Sequence, residues 1–398
     1  MNTLNYIVWG GSPELFSFNS PIGEISLRWY GILFALGFLI SQQILYYIHR
    51  KEGKPQADVE TLTIYLIVAT ILGARLGHVI FYQPEIIWED PLGILLPFEF
   101  SPEFRFTGLQ GLASHGAAIG ILLVLWFYSR QKVKVKSEDG KTVLRIERRV
   151  GQNYLQVLDR IVILVALTGA LIRLGNFFNS EILGKPTTFP TGIIFAAQGE
   201  ALLKGDRSRP SNPIQAVSVK ADPEAIDTIP GKRPIQYLVL FRPGFQEQNL
   251  QHYINSELQE RLFYASESVV VPTGFGLRYQ KIFDEQANQA MAKISILGIQ
   301  RHPAQLYESI SSFLLFILLF FIWKKHKNSL PEGRIFGLFL VILWTLRFLY
   351  EFLKENQVSF EDRLPINMGQ ILSIPLILVG IYILLRSYKQ PAAGATLG

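Results

Sequence analysis

The sequence has no cysteine and few charged residues. Zero cysteine among 398 residues excludes disulfide bonds, Cys-ligated zinc, iron–sulfur clusters and an enzymatic thiol nucleophile. Charged residues make up 18% of the chain, whereas soluble globular proteins carry about 25%. The first twenty residues also lack the basic start and short apolar core of a cleavable signal peptide, so we expect none. Long uncharged runs account for the shortage of charge, and they predict a polytopic membrane protein.

The net charge of +6, from 38 Lys and Arg against 32 Asp and Glu, could in principle indicate a nucleic-acid partner. The basic residues, however, cluster in short stretches between the apolar runs. Membrane proteins mark their cytoplasmic loops in this way. We therefore expect no nucleic-acid partner.

Seven apolar runs are long enough to cross a bilayer core of about 30 Å, which takes roughly 20 helical residues. They are Trp29–Ile48, Thr61–Tyr82, Leu112–Tyr128, Ile161–Phe178, Leu306–Trp323, Ile335–Leu353 and Gly369–Leu385. The predicted fold class is therefore an all-α polytopic membrane protein with seven transmembrane helices.

The loops that follow the odd-numbered runs hold most of the lysine and arginine. These residues are Arg50, Lys51 and Lys54, then eight between Arg130 and Arg149, then Lys324, Lys325 and Lys327, and finally Arg386 and Lys389. Loops rich in Lys and Arg remain in the cytoplasm. We therefore expect the N-terminus outside the cell and the C-terminus in the cytoplasm.

A long insertion of soluble-like composition interrupts the runs at residues 179–300. It contains the strand-like sequence IQYLVLF at Ile235–Phe241 and helix-like stretches around Gln246–Leu262 and Gln280–Lys293. These elements predict a small α+β head domain on the outer side. The predicted organisation is helices one to four with an outer interfacial segment at 90–106 (1–178), the head (179–300), and helices five to seven with a cytoplasmic tail (301–398).

Polar side chains occur within the runs or at their ends, where charge is costly and each such residue is a functional candidate. They are Tyr30, Arg75, His78, His115, Arg173, Arg301, His302, Glu308, Arg347 and Glu351. Runs two, four and six are predicted to point outward and carry these residues in their last turns. Runs one, three and five point inward and carry theirs at the start, so all should share one depth in the outer half of the membrane.

Two structural alternatives explain part of this pattern without a site. Arg347 and Glu351 are four residues apart and can form an ion pair along one helix. Arg75 and His78 can extend to the membrane surface from within their helix.

The residue types in this set favour binding of a phosphate group. Arginine keeps its charge when it is desolvated and binds phosphate through two parallel hydrogen bonds. The sequence has no metal-binding pattern such as HExxH, and His115 with His302 is a weak metal signal, so no metal is expected. A site rich in arginine in the outer half of the membrane predicts a lipid phosphate as the ligand.

The segment GALIRLGNFFNSEILGKP at Gly169–Pro186 resembles the signature of the bacterial prolipoprotein diacylglyceryl transferase family. Further similar strings are RWYGILFALGF (Arg28–Phe38), GARLGHVIFY (Gly73–Tyr82), HGAAIG (His115–Gly120), RHPAQLYE (Arg301–Glu308), LRFLYEF (Leu346–Phe352) and MGQILSIP (Met368–Pro375). The sequence departs from the family pattern at Ala117, where a second glycine is usual, and at Arg28, where a histidine often stands. The predicted head is also longer than the family pattern implies.

This resemblance implies a transferase that works without a cofactor. Such an enzyme transfers the diacylglyceryl group of phosphatidylglycerol to the lipobox cysteine in the signal peptide of a prolipoprotein, and it releases glycerol phosphate. This is the first step of lipoprotein maturation. The enzyme would lie in the bacterial cytoplasmic (inner) membrane among the membrane lipids, with its active site facing the outer leaflet. The absence of cysteine is compatible with this reaction, because the reacting thiol belongs to the substrate.

The resemblance also implies roles for individual residues. Arg173 and Arg347 would hold the phosphate and stabilise the leaving group, and His115 would accept the thiol proton. Asn176 and Glu181 would orient the arginine and the head group, and Tyr30 would line the glycerol site. Gly184 would allow close backbone approach at the mouth of the site. The substrate-binding positions besides Arg173 and Arg347 are Arg75, Gly116, Asn179, Glu181, Gly184, Arg301, His302 and Glu351. Each role has a structural alternative. These are ion pairs for Arg173 and Arg347, a hydrogen-bonded core histidine for His115, helix-end capping for Asn176 and Glu181, an aromatic at the membrane boundary for Tyr30 and a turn glycine for Gly184.

Two other functional classes are compatible with parts of the pattern. A transporter of an outer-leaflet lipid or another anionic substrate would also use buried arginines, but its site should lie at the bilayer midplane between repeated halves. The sequence shows neither a repeat nor charges at the midplane. A seven-span receptor would bind its ligand at the same outer depth, yet it would not need paired arginines or this head.

Overall fold

The computed structural model describes residues 6–20, 23–94, 98–99, 105–106, 111, 113–135, 145–205, 212–222, 229–271, 276–284, 289–355 and 364–389. Much of the predicted interfacial segment at 90–106 lies outside these residues. The chain divides into two compact units. We call Met1–Pro13, Arg173–Glu308 and Leu349–Asn367 the sheet unit, and Glu14–Ile172, Ser309–Phe348 and Met368–Gly398 the helical unit.

The helices are α1 (Trp29–Glu52), α2 (Ala57–Tyr82), α3 (Ile86–Glu89), α4 (Ser114–Arg130), α5 (Tyr154–Phe178), α6 (Ala197–Lys204), α7 (Leu250–Tyr253), α8 (Gln259–Phe263), α9 (Ala304–His326), α10 (Arg334–Tyr350) and α11 (Met368–Tyr388). The strands are β1 (Ile7–Trp9), β2 (Glu14–Ser20), β3 (Gly23–Arg28), β4 (Phe98–Glu99), β5 (Arg105–Phe106), β6 (Lys132–Val135), β7 (Arg145–Arg148), β8 (Ile193–Phe195), β9 (Ile214–Ala221), β10 (Lys232–Phe241), β11 (Val269–Val270), β12 (Arg278–Asp284) and β13 (Gln289–Arg301).

Six of the predicted runs lie in helices, and the third run, Leu112–Tyr128, is helical from Ser114 onward. Within the described residues, six helices are long and apolar enough to cross a membrane, namely α1, α2, α5, α9, α10 with the 3₁₀ turn that follows it, and α11. The chain is therefore a multi-pass membrane protein with a small α+β part. Helix α4 has 17 residues, a length of about 25 Å at 1.5 Å per residue, so a seventh span remains a prediction.

Several helices continue beyond their apolar runs because buried polar contacts stabilise their ends. The carboxylate of Glu52, in the last turn of α1, accepts hydrogen bonds from Arg160 (2.8 Å) and Trp323 (2.7 Å). The buried carboxylate of Asp159, in α5, accepts the backbone N–H groups of Gly333 and Phe336, both at 2.8 Å. These N–H groups have no partner inside α10, so Asp159 caps its first turn.

Four glycines allow α2 and α4 to pack with their backbones in direct contact. Gly73 and Gly77 on α2 face Gly116 and Gly120 on α4, and a Cβ on Gly116 would lie 2.8 Å from Gly77 Cα and still closer to Gly73 O. The Ala113 N–H, just before α4, donates to Ala74 O of α2 at 2.9 Å. Small residues spaced by four are typical of close helix pairs in membranes. Gly116 therefore packs two helices together, although its place in the HGAAIG string predicts a substrate contact.

The sheet unit is built on a mixed seven-stranded sheet. Its strand order is β1-β8-β13-β10-β9, and β11 and β12 also pair with β13. Strand β10 confirms the prediction at Ile235–Phe241, and residues 247–263 form the short helical turns predicted around Gln246–Leu262. The apolar core between these elements includes Ile235, Tyr237, Ile254, Leu258, Leu262 and Ile294.

The predicted helix around Gln280–Lys293 is wrong, because this stretch forms β12 and the beginning of β13. Every second residue from Ala290 to Ile296 is buried, which is the period of a strand with one face in the core. Nine residues of β10 pair with β13. This long-range pairing outweighs the local helix preference of the Gln- and Ala-rich sequence.

We predict that Gly116→Ala destabilises the protein and that Gly169→Ala does not. The new methyl at 116 would meet the α2 backbone, whereas a Cβ at Gly169, inside α5, has no neighbouring atom within 4 Å among the described residues. Overpacking of this kind costs about 1–3 kcal/mol. The thermal unfolding midpoint of the purified protein in detergent measures the difference, and equal midpoints for the two variants would contradict the helix contact.

Candidate active site

The end of α5 places Arg173 beside a buried carboxylate of the sheet unit. The Arg173 Nε lies 2.6 Å from Glu308 Oε2, in the first turns of α9. The side chain of Arg173 is 23% exposed and that of Glu308 is 9% exposed. The guanidinium is thus held by Glu308 at its Nε and remains partly exposed.

Glu308 also pairs with Lys354, and the pairing continues to Glu351. The Lys354 side chain is 4% exposed, and its Nζ contacts Glu308 Oε1 and lies 3.2 Å from Glu351 Oε1. The Asn367 amide donates to Glu351 Oε2 at 3.1 Å. Arg173, Glu308, Lys354 and Glu351 thus alternate in charge, and we call them the ion chain. Glu351, a predicted substrate-binding residue, forms an ion pair with Lys354.

Hydrogen bonds to Glu181 hold the loop that follows α5. The amides of Asn176 and Asn179 donate to its two carboxylate oxygens at 3.1 and 3.0 Å, and the Gln305 amide donates to its main-chain carbonyl. Ser180 and Ile182 have positive φ values of 54° and 55°. Such a backbone is unfavourable for a β-branched residue, so the Glu181 contacts stabilise a strained loop.

Gly184 lies where three segments of the sheet unit meet. Its N–H donates to His302 O at 3.1 Å, and the Lys185 N–H donates to Leu353 O at 2.7 Å. A Cβ at Gly184 would lie 2.5 Å from His302 O and 2.9 Å from Leu353 O. The glycine therefore permits the close backbone approach expected of it, and the neighbouring backbone belongs to the protein itself.

The side chain of Arg301 connects segments of the sheet unit through hydrogen bonds. Its Nε donates to Glu267 O at 2.7 Å, and its Nη1 donates to Gly184 O at 3.1 Å and to Glu355 Oε1 at 2.9 Å. The residue is 6% exposed. These contacts favour a structural role for Arg301 over direct substrate binding.

The imidazole of His302 is half-buried beside two aromatic rings. Its Nδ1 lies 3.4 Å from the Tyr307 hydroxyl, and the Phe189 ring lies 5.7 Å away. Burial lowers the pKa of His302 below its ordinary value, which favours the neutral ring. A neutral ring can accept or donate a hydrogen bond but cannot neutralise a phosphate.

A cavity of about 760 Å³ opens in the sheet unit. Asn179, Ser180 and Arg301 contribute polar groups to its wall, together with Glu267 and Glu355, and Ile182, Leu183, Ala197 and Ala201 contribute apolar ones. Asn179 Oδ1 and Ser180 Oγ are buried atoms without a hydrogen-bond partner among the described residues. The cavity therefore offers a ligand both apolar surface and two unused polar atoms.

The remaining predicted site residues belong to the helical unit. His115 is exposed in the first turn of α4, with its ring 5.0 Å from that of Phe81. Arg75 donates to the carbonyls of Gly93 (2.7 Å) and Ile94 (2.9 Å), which favours a role in holding that segment. The Tyr30 ring lies 6.4 Å from the Phe34 ring, measured between centroids. The Arg347 guanidinium lies over the Trp344 ring, 5.5 Å from its centroid.

Sequence reasoning missed the role of Lys354. Lys354 stands between the sixth and seventh predicted runs, where the sequence predicts only a loop charge. The available signal was its position three residues after Glu351, because side chains at this spacing share one face of a helical turn. Glu308 was a polar candidate, but its pairing with two cations depends on the fold.

We predict that Glu308→Gln destabilises the protein strongly, because it leaves Arg173 and the buried Lys354 without their shared carboxylate. Removing one partner of a buried pair costs about 3–5 kcal/mol. Glu355→Gln is the matched control, since Glu355 is 51% exposed in its pair with Arg301 and should cost about 0–1 kcal/mol. Chemical unfolding in detergent measures both losses. Indistinguishable losses would mean that the ion chain does not stabilise the fold.

Comparison with known proteins assigns the chain to a family. A family model described as prolipoprotein diacylglyceryl transferase matches residues 17–386. A phosphatidylglycerol–prolipoprotein diacylglyceryl transferase of Bacteroides fragilis is 30% identical over 96% of this chain and 95% of its own length. Proteins of the same name from Tolumonas auensis (30% identity, 97% and 99%) and Chloroherpeton thalassium (29%, 98% and 97%) match equally widely. The chain belongs to the prolipoprotein diacylglyceryl transferase family.

Proposed function

We propose that this enzyme transfers the diacylglyceryl group of phosphatidylglycerol to the thiol of the lipobox cysteine of a prolipoprotein and releases glycerol phosphate. The reaction is the first step of lipoprotein maturation. The observation that carries the proposal is the match over nearly the full length of relatives named for this activity. The loop from Arg173 to Gly184, held by the Glu181 contacts, supports it.

The chemistry of this transfer sets two requirements. A thiol of pKa about 8.5 is mostly protonated at neutral pH, so a base must increase the reactive thiolate fraction. The attacked glyceryl carbon loses a phosphate ester, and fixed cations must stabilise the charge that develops on the leaving oxygen. The sulfur–carbon bond forms as the carbon–oxygen bond breaks, and the thiol proton passes to the base.

Arg173 is suited to hold the phosphate. Glu308 Oε2 lies 2.6 Å from its Nε, and we assign its two terminal amino groups to the ligand. Arginine can bind a phosphate through two parallel hydrogen bonds. We assign Glu308 and Lys354 the task of orienting the guanidinium, and Asn176, Asn179 and Glu181 that of shaping the loop beside it.

We propose roles for Arg347, His115 and Tyr30 from the family resemblance and from the contacts around each residue. Arg347 supplies a second cation for the phosphate. His115 is the proposed base, because its ring is exposed at the beginning of α4 and its contacts with Phe81 and Tyr82 are aromatic. Tyr30, in the first turn of α1, lines the glycerol site.

The proposed location is the bacterial inner membrane, with seven spans when α4 is included, the N-terminus outside and the C-terminus in the cytoplasm. The active site then faces the outer leaflet. The asymmetric distribution of lysine and arginine in the loops supports this orientation.

Incubation of the purified protein with phosphatidylglycerol and a lipobox peptide tests the activity directly. We expect the mass of the peptide cysteine to increase by one diacylglyceryl group and glycerol phosphate to appear in equal amount. A peptide with serine in place of the cysteine should gain nothing. A transporter or a receptor would bind a ligand and leave both peptides unchanged.

A topology reporter tests the orientation. We predict that a reporter inserted near Gln248 is located outside the cytoplasm and that one fused after Lys136 is located inside it. Both positions follow from the predicted spans, although residue 136 lies outside the described residues. The reverse location of either reporter would contradict the proposed orientation.

We predict that Arg173→Lys and His115→Gln impair transfer through different steps. Lysine keeps the charge at 173 but cannot form the paired hydrogen bonds. Its loss should be about 2–3 kcal/mol, or roughly a hundredfold in rate, at every pH. Glutamine at 115 cannot accept the proton, so its defect should diminish as the pH approaches the thiol pKa.

The measurement is the transfer rate of each variant against pH, with membrane insertion verified separately. Lys185→Arg is a matched control in the same loop, because it changes one cation type for the other at an exposed position outside the proposed machinery. Identical pH profiles for Arg173→Lys and His115→Gln would disprove the division of roles. A fully active Arg173→Lys would disprove the phosphate assignment.

A further inference from the structure

The β2–β3 hairpin of the helical unit has one apolar face and one polar face. Phe16 pairs in register with Leu27, whereas Ser17 pairs with Ser26. Side chains alternate between the two faces of a strand, so Phe16, Phe18 and Leu27 share one face. We call these three residues the hairpin face.

The hairpin face is exposed within the structure. Phe16 is 52% exposed, Phe18 is 51% exposed and Leu27 is 40% exposed, and the two phenylalanine rings lie 6.3 Å apart. An isolated two-stranded hairpin is only marginally stable in water. A hairpin with an exposed phenylalanine pair therefore requires a covering environment.

The chain continues from this hairpin directly into a membrane-spanning helix. Strand β3 ends at Arg28 and α1 begins at Trp29. Leu27 is two residues from Trp29, a distance of about 7 Å along an extended chain. Leu36 and Leu39, on α1, are 40% and 61% exposed, as expected of side chains that face lipid. The hairpin face thus precedes a helix whose exposed apolar side chains are suited to contact lipid.

The opposite side of the hairpin is more polar, although Leu15, at the register shift between Glu14 and Phe16, is 46% exposed. Ser17 is exposed. Arg28 Nη2 lies 3.8 Å from Glu14 Oε1, and both side chains are exposed, at 59% and 37%. An element with one apolar and one polar face binds flat at the boundary between head groups and acyl chains.

We propose that the β2–β3 hairpin is a membrane anchor whose face of Phe16, Phe18 and Leu27 inserts into the bilayer interface. Because β3 and α1 are continuous, the anchor fixes the depth at which α1 begins. Tyr30 lies in the first turn of α1, so the hairpin also sets the height of this residue. The inference does not depend on the proposed transfer reaction.

The absence of cysteine allows a direct test with single-cysteine variants of the full chain. Phe18→Cys places a nitroxide on the hairpin face, Ser17→Cys places one on the opposite face, and Leu39→Cys provides a lipid-exposed reference on α1. The variants are reconstituted into vesicles containing phosphatidylglycerol. Collisions of the nitroxide with oxygen, which concentrates in the bilayer, are compared with collisions with a water-soluble nickel complex.

We expect the label at 18 to favour oxygen, as the label at 39 does, and the label at 17 to favour nickel. Equal access of nickel to positions 17 and 18 would overturn the proposal, because the hairpin face would then lie in water. Shielding of position 18 from both reagents would also overturn it, since a protein segment would then cover the face. Leu27→Cys reports the same face if Phe18→Cys fails to insert.

Discussion

The candidate site depends on the carboxylate of Glu308, which pairs with Arg173 and Lys354. The three residues come from the end of α5, the start of α9 and the segment that follows α10. A carboxylate with 9% exposure is stable in its charged form only beside cations. Lys354, with 4% exposure, pairs with both Glu308 and Glu351. Each charge in the ion chain is thus compensated by its neighbours, and segments that are far apart in sequence are held together.

In the proposed reaction, this alternation of charge would hold the Arg173 guanidinium in place before a phosphate binds. The contact between Glu308 and Arg173 is made at Nε. Lys354 shares the same carboxylate and so lowers the negative charge that Arg173 experiences. An incoming phosphate would then meet donors whose direction is already fixed, and fixed donors need little reorganisation when charge develops on a leaving group.

The sequence predicts the local features of the protein and misses those that depend on distant pairing. Within the described residues, apolar length located the six helices that are long enough to cross a membrane. The stretch from Gln280 to Lys293 reads as helix, but its pairing with β10 makes it strand. The sequence predicts only a loop charge at Lys354, because its position between two carboxylates depends on the fold. The HGAAIG string predicts a substrate contact at Gly116. The four-residue spacing from Gly116 to Gly120 matches that from Gly73 to Gly77 and also indicates helix packing.

The glycine contacts of the helical unit connect packing with the proposed chemistry. Gly116 fixes α4 against α2 at Gly73 and Gly77, and His115 is the adjacent residue in the first turn of α4. One turn beyond Gly77, Phe81 places its ring against that of His115 at 5.0 Å. A larger residue at 116 would push the helices apart and move the imidazole with them. The position of the proposed base is therefore set by a contact between two helix backbones and not by a polar side chain. The glycine that follows the histidine in this motif has a packing role.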